Sequence, residues 1–116
     1  MAPTVPESTR NSLLYRLNDH ARQRWPTLAR VKVRHRAGFA YVDGQLADGS
    51  LLPLCRLRYA GYANRWGFAI YLASKDGYED SVLPSGHPSG TAEEALDCAC
   101  GLYLNDPTTW LQPPTN

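Results

Sequence analysis

Residues 29–36 read ARVKVRHR, and their alternation decides the fold. Val31 and Val33 point one way while Arg30, Lys32, Arg34 and Arg36 point the other, the period of a strand with one buried and one solvated face. Upstream the period is helical. Leu13, Leu14, Leu17, Ala21 and Trp25 gather in a stripe about 120° wide when residues are stepped around a helix. A helix capped by Ser8 therefore runs to Trp25, where Pro26 forces the preceding residue out of helical geometry. Arg16 and Arg22 flank that stripe on opposite sides and make no single basic ridge.

Downstream the period of two persists. Phe39 to Val42 reads as a second strand, closed by Asp43-Gly44 and followed by a turn at Asp48-Gly49. Residues 51–59 place Cys55, Leu57 and Tyr59 on one face and Leu54, Arg56 and Arg58 on the other, with Pro53 suited to an edge or a strand start. Residues 66–73 alternate Trp66, Phe68, Ile70 and Leu72 against Gly67, Ala69, Tyr71 and Ala73. Lys75-Asp76-Gly77 turns the chain into a fifth strand near Tyr78 to Leu83. The stretch PSGHPSG, residues 84–90, is a loop. Thr91 and Glu94 then form a capping box that opens a helix over residues 92–104. Its apolar face gathers Ala92, Ala95, Leu96, Ala99, Leu102 and Tyr103, while Glu93, Asp97 and Gly101 face away. Asn105-Asp106-Pro107 ends it, and Trp110 with Leu111 returns to the core. The chain has no internal repeat.

This order specifies an α+β fold: an antiparallel sheet of four to five strands with an N-terminal and a C-terminal helix packed on one face. The 116 residues fit one domain, expected over 8–111 with flexible tails at 1–7 and 112–116. The opening residues carry no secretory pattern and no stretch is long and apolar enough to span a membrane, so a soluble cytoplasmic protein is expected. Cys55, Cys98 and Cys100 show no zinc-site spacing and read as buried reduced thiols.

The near-neutral total charge hides two opposed halves. Residues 1–65 hold eleven basic side chains against four acidic ones, a balance of +7, and residues 66–116 hold one against seven, a balance of −6. If the apolar sides of the strands meet the helices, alternation sends Arg30, Lys32, Arg34, Arg36, Arg56, Arg58 and Tyr71 to the open side of the sheet. Such a platform fits single-stranded nucleic acid, because the planar arginine fork binds phosphate in two places and stacks on bases. Two other readings stand beside it. Arginine stems also cover sheet faces that would otherwise expose apolar surface, with Glu79 or Asp80 as ion-pair partners. A basic face can equally meet a protein partner or a second copy of the chain in a homodimer.

Catalytic chemistry finds little support in the residues. His20 and His35 sit at the edges of apolar faces. His87 lies between Ser85 and Ser89, but Ser-Gly-His is no nucleophile motif. Asp76, Glu79 and Asp80 cluster in one hairpin, yet alternation turns Glu79 and Asp80 to opposite faces. The expectation is a small binding or accessory protein with no catalytic residue, no cofactor and no metal site.

Two resemblances accompany these readings. In its order of helix, strands, helix the chain resembles the double-stranded RNA-binding domain, which grips phosphates with lysines at the start of its second helix. Thr91-Ala92-Glu93-Glu94 stand at that place here, and their acids disfavour duplex RNA. The strings WGFAIY (66–71), GYEDSVLPSG (77–86) and EALDCACGLYL (94–104) are similar to those of a family of small uncharacterised bacterial proteins. That resemblance covers the C-terminal half and implies the strand, loop and helix already described.

Overall fold

Proline, not serine, starts the first helix. In the computed structural model, which describes residues 4–62, 64–83 and 85–103, helix α1 spans Glu7–Arg24 and Pro6 stands at its N-cap. Ser8, the expected cap, lies inside the first turn. Pro6 needs no capping side chain, because its fixed φ of −62° presets the turn and its carbonyl accepts from Arg10 N–H over 2.9 Å. Val5 is buried, so packed chain begins ahead of residue 8. Thr9, Leu13, Leu17 and Ala21 form the buried line of α1, and Leu14 falls outside it.

Strands β1 (Leu28–Arg36), β2 (Phe39–Leu46), β3 (Leu51–Tyr62), β4 (Arg65–Leu72), β5 (Gly77–Asp80) and β6 (Ser89–Gly90) precede helix α2 (Ala92–Tyr103). The sheet is antiparallel in the order β1-β2-β3-β4. The far edge of β4 is shared, with β5 along Ala69 to Leu72 and β6 along Trp66 and Gly67. Part of the expected 84–90 loop is thus a two-residue strand, too short to show a period. The expected fifth strand stops at Asp80 instead of Leu83. Leu83 turns into the core and its N–H bonds His87 O over 2.8 Å, which breaks the ladder.

Helix α1 lies over β1 and α2 over β3 and β4, so both helices cover one face, as the alternation requires. Val31, Val42, Cys55, Leu57, Trp66 and Phe68 fill the layer beneath them. Leu54, expected on the open face, is buried. The register slips between Val42 and Asp43, leaving Leu54 as the extra residue of a bulge that swings it inward beside Cys55. Gly44 makes room for it: a Cβ there would lie 2.7 Å from Leu28 Cδ2 and 3.3 Å from Leu54 Cδ1.

The capping box forms as read, with Thr91 N–H on Glu94 Oε1 at 2.8 Å and Glu94 N–H on Thr91 Oγ1 at 3.1 Å. Gly101 is buried and Leu102 exposed, the reverse of the expectation. Glu93 and Asp97 face α1 and build a polar seam there. Arg16 clasps Glu93 through two bonds of 2.9 and 3.0 Å, and Asp97 Oδ1 meets both His20 Nε2 at 2.8 Å and the Trp25 indole N–H at 2.7 Å. Asn18 fixes α1 to the sheet edge by bonding both the N–H and the C=O of Val31. The side chain of Tyr103, the return of Trp110 and Leu111, and the tail at 112–116 lie outside the described residues. No described helix is long and apolar enough to cross a membrane.

Candidate nucleic-acid interface

The second face of the sheet is covered by no described element, and its side chains form cross-strand rows. One row runs Arg34, Tyr41, Arg56, Ala69 and Asp80 from β1 to β5. The next runs Arg36, Phe39, Arg58, Gly67 and Ser89 from β1 to β6. On the other side Lys32, Asp43 and Pro53 form a third, and Arg30, Gln45 and Leu51 a fourth near the end of the sheet. Six expected basic residues therefore share one face. Arg30 stands apart from the rest, beyond a slip in register after Leu28.

Aromatic rings thread between these cations. Arg34 lies 5.3 Å from the Tyr41 ring centroid, Tyr41 meets Tyr78 edge-on at 5.3 Å, and Tyr78 meets Tyr71 at 5.3 Å. Arg56 sits 4.6 Å over Phe39 and 5.9 Å from Tyr78. Tyr71 donates its hydroxyl to Asp76 Oδ1 over 2.7 Å, so its ring stiffens the β4–β5 turn as well as lining the face. Asp43 is buried in this layer. Its Oδ2 lies 3.5 Å from Arg34 Nε and its Oδ1 has no hydrogen-bond partner. Burial, and then the Asp43 carboxylate, push the Tyr78 hydroxyl above its ordinary ionisation range, although Arg34 pulls the other way.

A trough follows β4, because Gly67 and Ala69 leave its open side almost bare. Phe39, Arg56 and Arg58 wall it toward β3, and Asp80, Ser81 and Pro88 wall the opposite side around a cavity of about 130 Å³. Arg58 lies across the floor: a Cβ added to Gly67 would stand 3.4 Å from Arg58 Cβ and 3.5 Å from Nε. Arg56 reaches Asp80 over 3.4 Å, and Asp80 itself is almost fully exposed. Arg30, Lys32, Arg36 and Arg58 form no ion pair with any described residue. Among the described residues, neutralisation of the face by acids is thus confined to Arg34 and Arg56.

The remaining candidates separate from this face. His20 belongs to the helix seam. His35 lies on the core side opposite Ala40, with Nδ1 buried and unpartnered, and burial followed by the Arg10 charge holds its pKa below the ordinary histidine value. His87 is exposed, and its backbone N–H bonds Ser85 Oγ at 3.4 Å. Asp76 and Asp80 are engaged by Tyr71 and Arg56, while Glu79 points to the helix side of the ladder opposite Ile70. No cluster of three or more His, Cys, Asp or Glu among the described residues is arranged to hold a metal ion.

Sequence reasoning missed Phe39, Tyr41, Tyr78 and Asp43. A signal for the first two exists: in Phe39-Ala40-Tyr41-Val42 only one side can face in, and it is the small one. No family model, curated protein or solved structure matches the chain, so the site rests on its own geometry.

Proposed function

We propose that the protein binds single-stranded nucleic acid on the open sheet face and performs no reaction on it. The supporting observation is the pairing of four cations that have no described acidic partner with an aromatic-walled trough on a sheet face that no described element covers. Cations supply the sequence-independent attraction for phosphate, and aromatic rings with arginine planes give unpaired bases a surface to stack on. A duplex offers no such faces, and reading its major groove calls for a protruding helix or ribbon that this face lacks. Three free buried cysteines fit the reducing cytoplasm as the place of action.

The alternative is a protein partner or a second copy docked through opposite charge. For a second copy the acidic half offers little, because much of it is engaged within the molecule. Glu93 and Asp97 face α1, Glu94 closes the capping box, Asp76 holds Tyr71 and Asp80 holds Arg56.

Fluorescence anisotropy with a labelled oligothymidylate over a salt series tests the proposal. Four phosphate contacts give a logarithmic salt slope of about −3, and the Arg36→Ala/Arg58→Ala double variant halves it. Binding that ignores both salt and these substitutions would remove the proposal.

A further inference from the structure

The trough over β4 has a size and a polarity that a general phosphate track does not require. Its volume of about 130 Å³ is close to the roughly 150 Å³ of an engineered protein cavity that accepts one benzene ring. One six-membered ring therefore fills it, and a fused purine overhangs. The floor is low because Gly67 and Ala69 present almost no side chain, and Arg58 lies along it at Gly67. The guanidinium of Arg56 is held over Phe39 at 4.6 Å and lies 5.9 Å from Tyr78, so it forms a fixed cationic wall of the trough. Across the trough stands Asp80, whose oxygens can only accept hydrogen bonds.

We infer that this trough is a single-base subsite for a pyrimidine nucleotide, and that Asp80 selects cytosine. The inference rests on the nucleic-acid reading above and adds a base preference to it. The ring lies over Ala69 beside Arg56, and Arg58, which lies along the floor at Gly67 and has no described acidic partner, takes the adjoining phosphate. Cytosine turns its exocyclic amine to Asp80, a carboxylate being the natural acceptor for that group. Thymine and uracil present a carbonyl oxygen at the same place, which Asp80 repels. Asp80 also holds Arg56, so the incoming base replaces a weak 3.4 Å ion pair at the rim instead of opening the core.

The test compares labelled oligodeoxycytidylate, oligothymidylate and oligodeoxyadenylate of equal length at one low salt concentration. The native protein should bind the cytosine oligomer about tenfold more tightly than the thymine one, and the adenine oligomer less tightly than the cytosine one. Asp80→Ala is safe for folding because the side chain is almost fully in solvent, and it should bring the cytosine and thymine affinities together. Gly67→Ala raises the floor by one methyl at ordinary contact distance from Arg58, and should weaken both pyrimidine oligomers several-fold with net charge unchanged. Equal binding of cytosine and thymine by the native protein, or a preference that survives Asp80→Ala, overturns the inference and leaves the general reading standing. Absence of binding to all three oligomers overturns both.

Discussion

Asp43 holds Arg34: its Oδ2 stands 3.5 Å from the guanidinium Nε, while its other oxygen is buried without a partner. One of the cations on the open face is thereby partly engaged before any ligand arrives. Asp43→Asn removes that charge and keeps the shape. The variant should bind a single-stranded oligonucleotide more tightly, with a salt slope steeper by about 0.7, one additional phosphate contact. It should also lower the pKa of the Tyr78 hydroxyl, since Asp43 is one cause of its upward shift. Burial is the larger cause, so the Tyr78 value stays above the ordinary 10 even in the variant. An unchanged salt slope together with an unchanged Tyr78 titration, followed by NMR, would show that Asp43 acts on neither.

How much of this face was legible follows from how local each signal is. The alternation of β1 lies within one strand, and the box at Thr91 and Glu94 spans four residues, so both could be read from the chain alone. The inward turn of Leu54 could not, because a bulge is defined by the partner strand and its residue has no mark of its own. Phe39 and Tyr41 misled in another way. Hydrophobicity ranks them above Ala40, yet Ala40 and Val42 are the β2 residues buried on the helix side and the larger rings lie on the other. Tyr78 on β5 meets Tyr41 on β2 across the two strands between them. That is a property of the register, invisible before the strands are aligned.

The hairpin joining β1 to β2 contains a correctable strain. Ala37 and Gly38 both hold positive φ, 49° and 85°, between the paired residues Arg36 and Phe39. Two-residue turns of this hand favour Asn-Gly, because an L-alanine in the left-handed region is penalised where asparagine tolerates it. Ala37→Asn should therefore raise stability by about 0.5–1 kcal/mol in urea unfolding, with no change in nucleic-acid affinity. A neutral or lower midpoint would place the turn's stability elsewhere.

At the C-terminal end of α1 the seam between the helices turns on one carboxylate. Asp97 Oδ1 accepts from the Trp25 indole and meets His20 Nε2, which ties the end of α1 to the middle of α2. Asp97→Ala leaves a buried indole N–H without an acceptor and should cost about 2 kcal/mol, whereas Asp97→Asn keeps an acceptor and should cost less. Thr91→Ala, which removes the cap of the same helix, should cost about 1 kcal/mol. Because the seam and the cap lie on separate parts of α2, the Asp97→Ala and Thr91→Ala losses should add within a few tenths of a kcal/mol. A strongly non-additive double variant would mean that the cap and the seam form one cooperative unit.

The three thiols make the fold sensitive to alkali. Burial pushes Cys98 and Cys100 up to about 12, with Asp97 adding to the shift, and burial raises Cys55 well above 9. A thiol whose folded pKa is raised binds its proton more tightly in the folded state, so its stabilising contribution is complete below the unfolded value near 9. It is lost as pH rises from there toward the folded value, because only the unfolded chain can release the proton. Each thiol contributes a slope of about 1.4 kcal/mol per pH unit in that window, so three together exhaust a typical domain stability within a few units. Unfolding by pH, followed by tryptophan fluorescence, should set in above pH 9 and steepen through about pH 10–11. Cys98→Ala should flatten that slope by about one third, whatever it does to stability at neutral pH, since it removes one of three equivalent proton sites. At pH 8 the native protein should resist a disulfide reagent, and all three thiols should react once it is unfolded. Prompt reaction of Cys98 or Cys100 in the folded protein would show that α2 opens locally, and the alkaline window would then move down with it.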